Sequence, residues 1–318
     1  MNGKRFSLGL VAIIAFMVLL TTGLVWSLPE ERYMDGEYPY WKQQKDYTLK
    51  DGTQLEALLL GDSRIKIGVR PELLGDDVYN LALGGGTPME MYYTLVDYLK
   101  HHPVPRIIIV SFGPMHYARA EVYMGRNAYF HYFSNERLRE TNQKILELDG
   151  IDYRSECHSY MYRLPQIYMK RVISSLSSPR TSENRKIYKK SSEARGRMFG
   201  ATRDDLKNVE PPESNEEHFH PLASQTYYMQ KLIETCLEHH IPLHIEQAPM
   251  GRYGLAKLKA SGYLAEYEAY MQSFADAYPI DVNPIIPGYE DDEFGDVSHL
   301  NEKGQIRFTE ELRKKYFE

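Results

Sequence analysis

Short apolar runs alternate along this chain with longer helical patterns, and this alternation constrains the fold more than any other feature. One run, RIIIVSF at 106–112, is continuously apolar, which is typical of a strand buried on both faces. The segment at 87–102 begins with Thr87 and Pro88, residue types that are favoured at a helix start. The pattern predicts strands at 55–60, 77–83, 106–112, 241–249 and 279–284, and helices at 87–102, 222–240, 263–278 and 301–317.

Strands that alternate with helices form βαβ units, in which successive strands are parallel and helices cover the sheet. The sequence therefore predicts an α/β fold with three layers, α/β/α, around a flavodoxin-like parallel sheet of about five strands. One transmembrane helix is expected to precede this fold.

That helix is predicted at residues 1–27. After Lys4 and Arg5, residues 6–26 are uncharged and apolar, and at about 1.5 Å per residue they span roughly the 30 Å hydrocarbon core of a bilayer. A cleavable signal peptide usually has a shorter apolar region and a small-x-small site, to which VWS at 25–27 is a poor match. We expect an uncleaved anchor, and a signal peptide is the alternative.

The charges around this segment predict its orientation. Lys4 and Arg5 precede it and acidic residues follow it, so the rest of a single-pass membrane protein is expected outside the cytoplasm. The whole chain has 38 basic and 44 acidic residues, and without Lys4 and Arg5 the remainder has 36 and 44, a net charge of −8. This acidic balance argues against a nucleic-acid partner, which would need a basic face.

The remaining chain divides by composition. Residues 28–53 are polar and aromatic and are interpreted as a stalk, and 54–318 as one domain with a Tyr- and Arg-rich insertion at about 117–220. The basic run at 179–197 is interpreted as a solvated or mobile loop. Contact with anionic lipid head groups or a polyanionic polymer is its functional alternative.

The two cysteines, Cys157 and Cys236, allow either a disulfide in an oxidising location or two buried thiols. The sequence has no CxxC motif and no Cys/His spacing of the kind that binds metals. We therefore expect neither a metal nor a cofactor.

Three short motifs place reactive groups at the ends of predicted elements. The first strand ends in Gly-Asp-Ser at 61–63, the second runs into three glycines at 84–86, and Asp296 and His299 precede the last helix. A serine nucleophile needs a base, and the base needs a carboxylate that orients it. Asp296 and His299, three residues apart, are expected on one side of a helical turn. Taken alone, 61–63 would favour a structural turn over a nucleophile.

In order and spacing these motifs resemble the SGNH or GDSL hydrolase superfamily, and the resemblance covers most of the chain after the anchor. It implies that Ser63 is the nucleophile, that His299 is the general base and that Asp296 orients it. It also implies an oxyanion hole formed by the backbone N–H groups of Ser63 and Gly85, with Gly84 as a one-residue alternative.

One block departs from the family pattern. After the third strand the family usually has Gly-x-Asn-Asp, whose Asn donates to the oxyanion, but SFGPMH at 111–116 has Met115 at that position. Methionine cannot donate a hydrogen bond, and loss of one such donor typically costs about 10²–10³ in rate. His116 is the nearest candidate replacement. Arg64 is expected either to pair with an acid or to contact an anionic substrate.

Similar departures occur in a membrane-anchored branch of the superfamily, which resembles the D-alanylation protein of lipoteichoic acid and the anchored proteins that acetylate exopolysaccharides. The resemblance implies a serine acyl-transfer enzyme acting on an acylated substrate and a cell-surface polysaccharide or teichoic-acid-like polymer, with a membrane-bound O-acyltransferase as partner. Two other classes stay open: an esterase or lipase acting on small or lipid esters, and a weakly catalytic module that binds polymer.

Overall fold

The computed structural model describes residues 3–119 and 123–318. In these residues the α-helices are α1 (Gly3–Ser27), α2 (Glu30–Tyr33), α3 (Tyr38–Thr48), α4 (Ser63–Gly68), α5 (Pro88–His101), α6 (Met115–Ala118), α7 (Asn135–Asp149), α8 (Arg154–Met161), α9 (Pro165–Ser177), α10 (Thr181–Glu193), α11 (Ala223–Glu238), α12 (Arg252–Ser261), α13 (Tyr263–Ala277) and α14 (Glu302–Tyr316). The strands are β1 (Ala57–Gly61), β2 (Val78–Asn80), β3 (Ile107–Ser111), β4 (Leu243–Ile245), β5 (Met250–Gly251), β6 (Asp281–Val282) and β7 (Gly288–Tyr289). Short 3-10 turns cover Pro71–Leu73, Pro212–Asn215 and Asp291–Glu293, and a π-helical turn covers Tyr123–Ala128.

Five strands form one parallel sheet in the order β2-β1-β3-β4-β6. When these five are counted along the chain, the order is 2-1-3-4-5, which is that of flavodoxin-like doubly wound sheets. The expected α/β fold with a parallel sheet of about five strands is therefore confirmed. Strands β5 and β7 form a separate two-stranded parallel sheet.

Helices cover the sheet on both faces. All five residues of β1 are buried, and alternate residues of a strand point to opposite faces. Ala57 and Leu59 belong to a core cluster that includes Phe308 of α14. Leu58 and Leu60 point the other way and are also fully buried, and α5 packs against both β1 and α11. The sheet is thus the middle layer of three.

Several strands are shorter than the sequence predicts, and β2 shows the reason. The predicted strand extends over 77–83, but the observed strand ends at Asn80. The Asn80 side-chain amide donates to the Ile65 carbonyl oxygen at 2.9 Å, and its side-chain oxygen accepts the Ala82 N–H at 3.1 Å. Side-chain bonds of this kind compete with a regular strand ladder.

The chain forms two compact units, and their boundaries differ from those of the expected stalk at 28–53 and insertion at about 117–220. The sheet unit comprises Tyr40–Tyr123 and Tyr188–Glu318, and the helical unit comprises Met1–Pro39 and Met124–Ile187. Residues 28–53, which were expected to form a stalk, are divided between the two units, because several of their aromatic side chains are buried inside those units. In the helical unit, for example, the Tyr33 ring meets the Tyr168 ring edge-on at a centroid distance of 6.1 Å.

The basic run at 179–197 is mostly helical, so its interpretation as a loop is wrong, although most of its side chains are at least partly exposed to solvent. It contains α10, whose first residues belong to the helical unit and are held there by the buried side chain of Asn184. The Asn184 amide donates to the carbonyl oxygens of Glu31 at 2.9 Å and Met34 at 3.1 Å. Several cations of the run pair with acids, as Arg185 does with Glu31 at 3.0 Å.

Helix α1 contains a stretch, Arg5–Ser27, that is long and apolar enough to cross a membrane, with a mean hydropathy of 2.6. A signal sequence would have the same properties. Cys157 and Cys236 are both buried and form no disulfide, so of the two alternatives the thiol form is the one present. Burial raises the pKa of the Cys236 thiol to about 12.

We expect Gly61→Ala to destabilise the sheet unit strongly. A Cβ at this position, where φ is 145°, would lie 1.9 Å from the carbonyl oxygen of Ser111. Gly262 offers a matched control, because its φ is 90° but no atom lies within 4 Å of an added Cβ. In urea unfolding of the detergent-solubilised protein, Gly262→Ala should cost roughly 1–2 kcal/mol, and Gly61→Ala clearly more. Equal losses would contradict the close approach.

Candidate active site

Strand β1 ends in a tight turn that leads directly into α4. Only glycine fits at Gly61, because of the Ser111 carbonyl oxygen beside it. Asp62 is the N-cap of α4, and its carboxylate accepts the Arg64 N–H at 2.7 Å. Ser63 is therefore the first residue of the helix, at the carboxyl edge of the parallel sheet where α/β proteins bind ligands.

The structure brings Ser63, His299 and Asp296 together. The Ser63 hydroxyl oxygen lies 2.7 Å from Nε2 of His299, although 236 residues separate the two. Nδ1 of the same ring lies 2.9 and 2.8 Å from the two carboxylate oxygens of Asp296. These distances are within hydrogen-bond reach, as the chemistry of a nucleophile, a base and an orienting acid requires.

A turn, and not a helix, positions the acid and the base. Asp296 Oδ1 accepts the backbone N–H groups of Ser298 at 2.8 Å and His299 at 2.9 Å. The expectation that both residues share a helical turn is wrong, because α14 begins only after its N-cap Asn301. An aspartate that bonds to its own backbone two residues on forms such a turn readily.

The electrostatics of the turn keep Asp296 ionised. Burial alone would raise the pKa of its carboxyl group, but the hydrogen bond and charge of His299 and the backbone N–H groups of the turn lower that pKa below its ordinary value. An ionised carboxylate favours the tautomer in which Nδ1 of His299 carries the proton. Nε2 is then free to accept the proton of the Ser63 hydroxyl.

The three glycines at 84–86 lie against the end of β1. After β2 ends, the chain continues alongside β1, as the hydrogen bond from the Leu83 N–H to the Gly61 carbonyl oxygen at 3.0 Å shows. A Cβ on Gly86 would lie 2.9 Å from that same oxygen. Within residues 3–119 and 123–318, no acceptor is found for the backbone N–H of Ser63 or of Gly85. Their expected role as oxyanion donors stays a prediction.

The loop after β3 is attached to the Gly-Asp-Ser turn at 61–63 through Asp62, whose role sequence reasoning missed. The fully buried Asp62 carboxylate accepts the Gly113 N–H at 2.7 Å, and its Oδ2 lies 3.1 Å from Nε2 of His116. This contact engages one ring nitrogen of His116, the residue that was the candidate oxyanion donor. The geometry favours His116 as a support for the turn. Met115 is the half-buried first residue of α6.

Arg64 forms a buried ion pair with Glu213. The Arg64 side chain is 4% exposed, and that of Glu213 is fully buried. Of the two expectations for Arg64, this arrangement favours pairing with an acid over contact with an anionic substrate. Sequence reasoning missed Glu213, because it lies 149 residues away in a short polar turn with no pattern of its own.

The fully buried Lys66 holds the segment that leads into the three glycines at 84–86. Lys66 of α4 donates to the carbonyl oxygens of Ala82 at 2.7 Å and Gly196 at 2.8 Å, and the buried Gln44 amide donates to the same two oxygens. Burial lowers the pKa of Lys66 well below its ordinary value. Nothing in the sequence SRIKIG distinguishes this lysine from an exposed one.

We expect the stability of the protein to rise with pH because of Lys66. The unfolded chain keeps this lysine protonated up to about pH 10, whereas the folded chain loses the proton at lower pH, so folding becomes more favourable as pH rises between the two pKa values. Unfolding in urea from about pH 7 to 10 should show this slope for the wild type and lose it in Lys66→Met. The exposed Lys259 gives the control, Lys259→Met. Parallel curves for wild type and Lys66→Met would contradict this reading.

Comparison with protein-family models and with curated proteins gives no match for this chain. The geometry of the site is therefore the basis for a functional argument. That geometry consists of a serine hydroxyl, an imidazole and a carboxylate in hydrogen-bonded sequence, next to backbone N–H groups at the edge of a parallel sheet. Such an arrangement can form and break acyl–oxygen bonds.

Proposed function

We propose that this chain is a membrane-anchored SGNH-type serine acyl-transfer enzyme that acts outside the cytoplasm on a cell-surface polysaccharide or a teichoic-acid-like polymer. The observation that carries the proposal is the 2.7 Å contact between the Ser63 hydroxyl and His299 Nε2. The contact of 2.8 Å between the His299 ring and Asp296 supports it. A module that only binds polymer would have no use for this arrangement.

The proposed reaction has two halves. In the first, His299 Nε2 takes the Ser63 proton while Oγ bonds to the acyl carbonyl carbon. The N–H groups of Ser63 and Gly85 stabilise the oxyanion. The leaving oxygen then departs with the proton from His299, and an acyl-enzyme remains. In the second half, His299 takes the proton of an acceptor hydroxyl while the acceptor oxygen attacks the acyl carbon. The acyl–Oγ bond then breaks, and His299 returns the proton to Ser63.

The acceptor decides between a transferase and a hydrolase. A polymer hydroxyl gives O-acyl transfer, and water gives ester hydrolysis, so the same triad would serve an esterase or lipase. Met115 supplies no oxyanion donor, and two backbone donors alone stabilise the transition state less than three donors. We therefore expect slow hydrolysis of small activated esters.

The proposed location follows from α1. Its apolar stretch is long enough to cross a bilayer, and Lys4 and Arg5 before it favour a cytoplasmic N-terminus. The triad would then face the compartment that holds surface polymers. A membrane-bound O-acyltransferase is the partner that the resemblance suggests.

Substitutions at the triad test the proposal. Ser63→Ala and His299→Ala should each lower turnover of an activated ester by about 10³-fold or more, and the double variant should be little worse, because the two residues act as one unit. Ser298→Ala is a matched control, since only its backbone N–H contacts Asp296. Initial rates of the detergent-solubilised full-length protein give the comparison. Full activity in Ser63→Ala, or additive losses in the double variant, would contradict the proposal.

A further inference from the structure

The helical unit carries an apolar surface beside the end of α1. Four large apolar side chains of this unit are exposed and are together called the apolar patch: Trp26 is 54% exposed, Tyr162 58%, Ile173 58% and Leu176 57%. Clusters of exposed apolar side chains mark sites that another surface covers.

The patch is attached to the last turns of α1. Helix α9 packs against α1, and because residues 5–20 of α1 are exposed whereas Val25 is fully buried, the packing lies at its C-terminal end. The Trp26 indole N–H donates to the Tyr162 carbonyl oxygen at 3.3 Å. The Arg163 guanidinium lies 4.7 Å from the centre of the Trp26 ring. These contacts hold Trp26 beside Tyr162 and Arg163, just before the start of α9.

The outer face of α9 does not belong to the core of the unit. Ile173 and Leu176 are three residues apart and share one face of the helix. Tyr168 and Val172, which are fully buried, lie on the inner face. Lys170, which is exposed, borders the apolar face.

We propose that the apolar patch enters the boundary between the head groups and acyl chains of the bilayer that α1 spans, so that the helical unit lies on a lipid surface. This inference rests on the proposed anchor. Residues 6–26 fill roughly 30 Å of hydrocarbon, which places Trp26 at the outer boundary. Trp and Tyr favour that level, and the exposed Lys170 complements anionic head groups.

This arrangement would give the anchor a second contact with the bilayer. A single helix holds a protein at the membrane but leaves its rotation and tilt free, whereas an apolar face beside that helix fixes both for the helical unit. Burial of Ile173 and Leu176 in lipid also removes apolar area from water, which is favourable.

The test uses full-length protein in vesicles of phosphatidylcholine and phosphatidylglycerol, with an environment-sensitive fluorophore on an introduced cysteine. The native cysteines are buried, and unsubstituted protein controls for their labelling. Three variants are compared: Ile173→Cys in the patch, Leu19→Cys in α1 and Glu140→Cys on the exposed surface of α7. Nitroxide-bearing lipids quench a label that touches the acyl region.

Quenching at Ile173 and Leu19 without quenching at Glu140 supports the proposal. Quenching at Leu19 alone overturns it and leaves the anchor intact. If the Leu19 label is not quenched and the protein is recovered in solution, the anchor and the patch proposal both fail. A label at Ile173 that is shielded but not quenched, and becomes exposed when protein is diluted in lipid, shows that a second copy covers the patch, which also overturns the proposal.

Discussion

The buried carboxylate of Asp62 is the interaction on which the rest of the site depends. It accepts the Arg64 N–H and the Gly113 N–H, both at 2.7 Å, and lies 3.1 Å from His116. It thereby starts α4 and ties the end of β1 to the loop after β3. A buried carboxylate is tolerated only where hydrogen bonds replace water, so these contacts favour one geometry of the turn. The position of the Ser63 hydroxyl follows from that geometry.

The parallel sheet assembles the site from distant parts of the sequence. Ser63 follows β1, the three glycines follow β2, and the loop that holds Gly113 follows β3. Because the carboxyl ends of neighbouring parallel strands share one edge, these segments meet there. His299 reaches the same edge from the turn before α14. The triad is already hydrogen-bonded, so the proposed chemistry would need little reorganisation of the protein.

The parts of this structure that leave local signals could be predicted from the sequence. Continuous apolar runs indicated the buried strands, and short motifs in a fixed order indicated the residues of the triad. Features that depend on distant contacts could not be predicted in the same way. Asn80 ends β2 through a hydrogen bond to α4. The buried Lys66 donates to the carbonyl oxygen of Gly196, which is 130 residues away, and Arg64 is paired with Glu213. The helical unit joins two segments that are far apart in the chain, so neither segment reveals it alone.

Covalent labelling of Ser63 is the most direct test of the central claim, that a hydroxyl at the end of β1 is an activated nucleophile. The full-length protein would be treated with a fluorophosphonate, digested, and analysed by mass spectrometry. The account predicts one stoichiometric adduct on the peptide that contains Ser63, which disappears in His299→Ala because that serine then lacks its base. An adduct on a different residue, or an unlabelled Ser63 in folded wild-type protein, would contradict the account and reduce Gly-Asp-Ser to a structural turn.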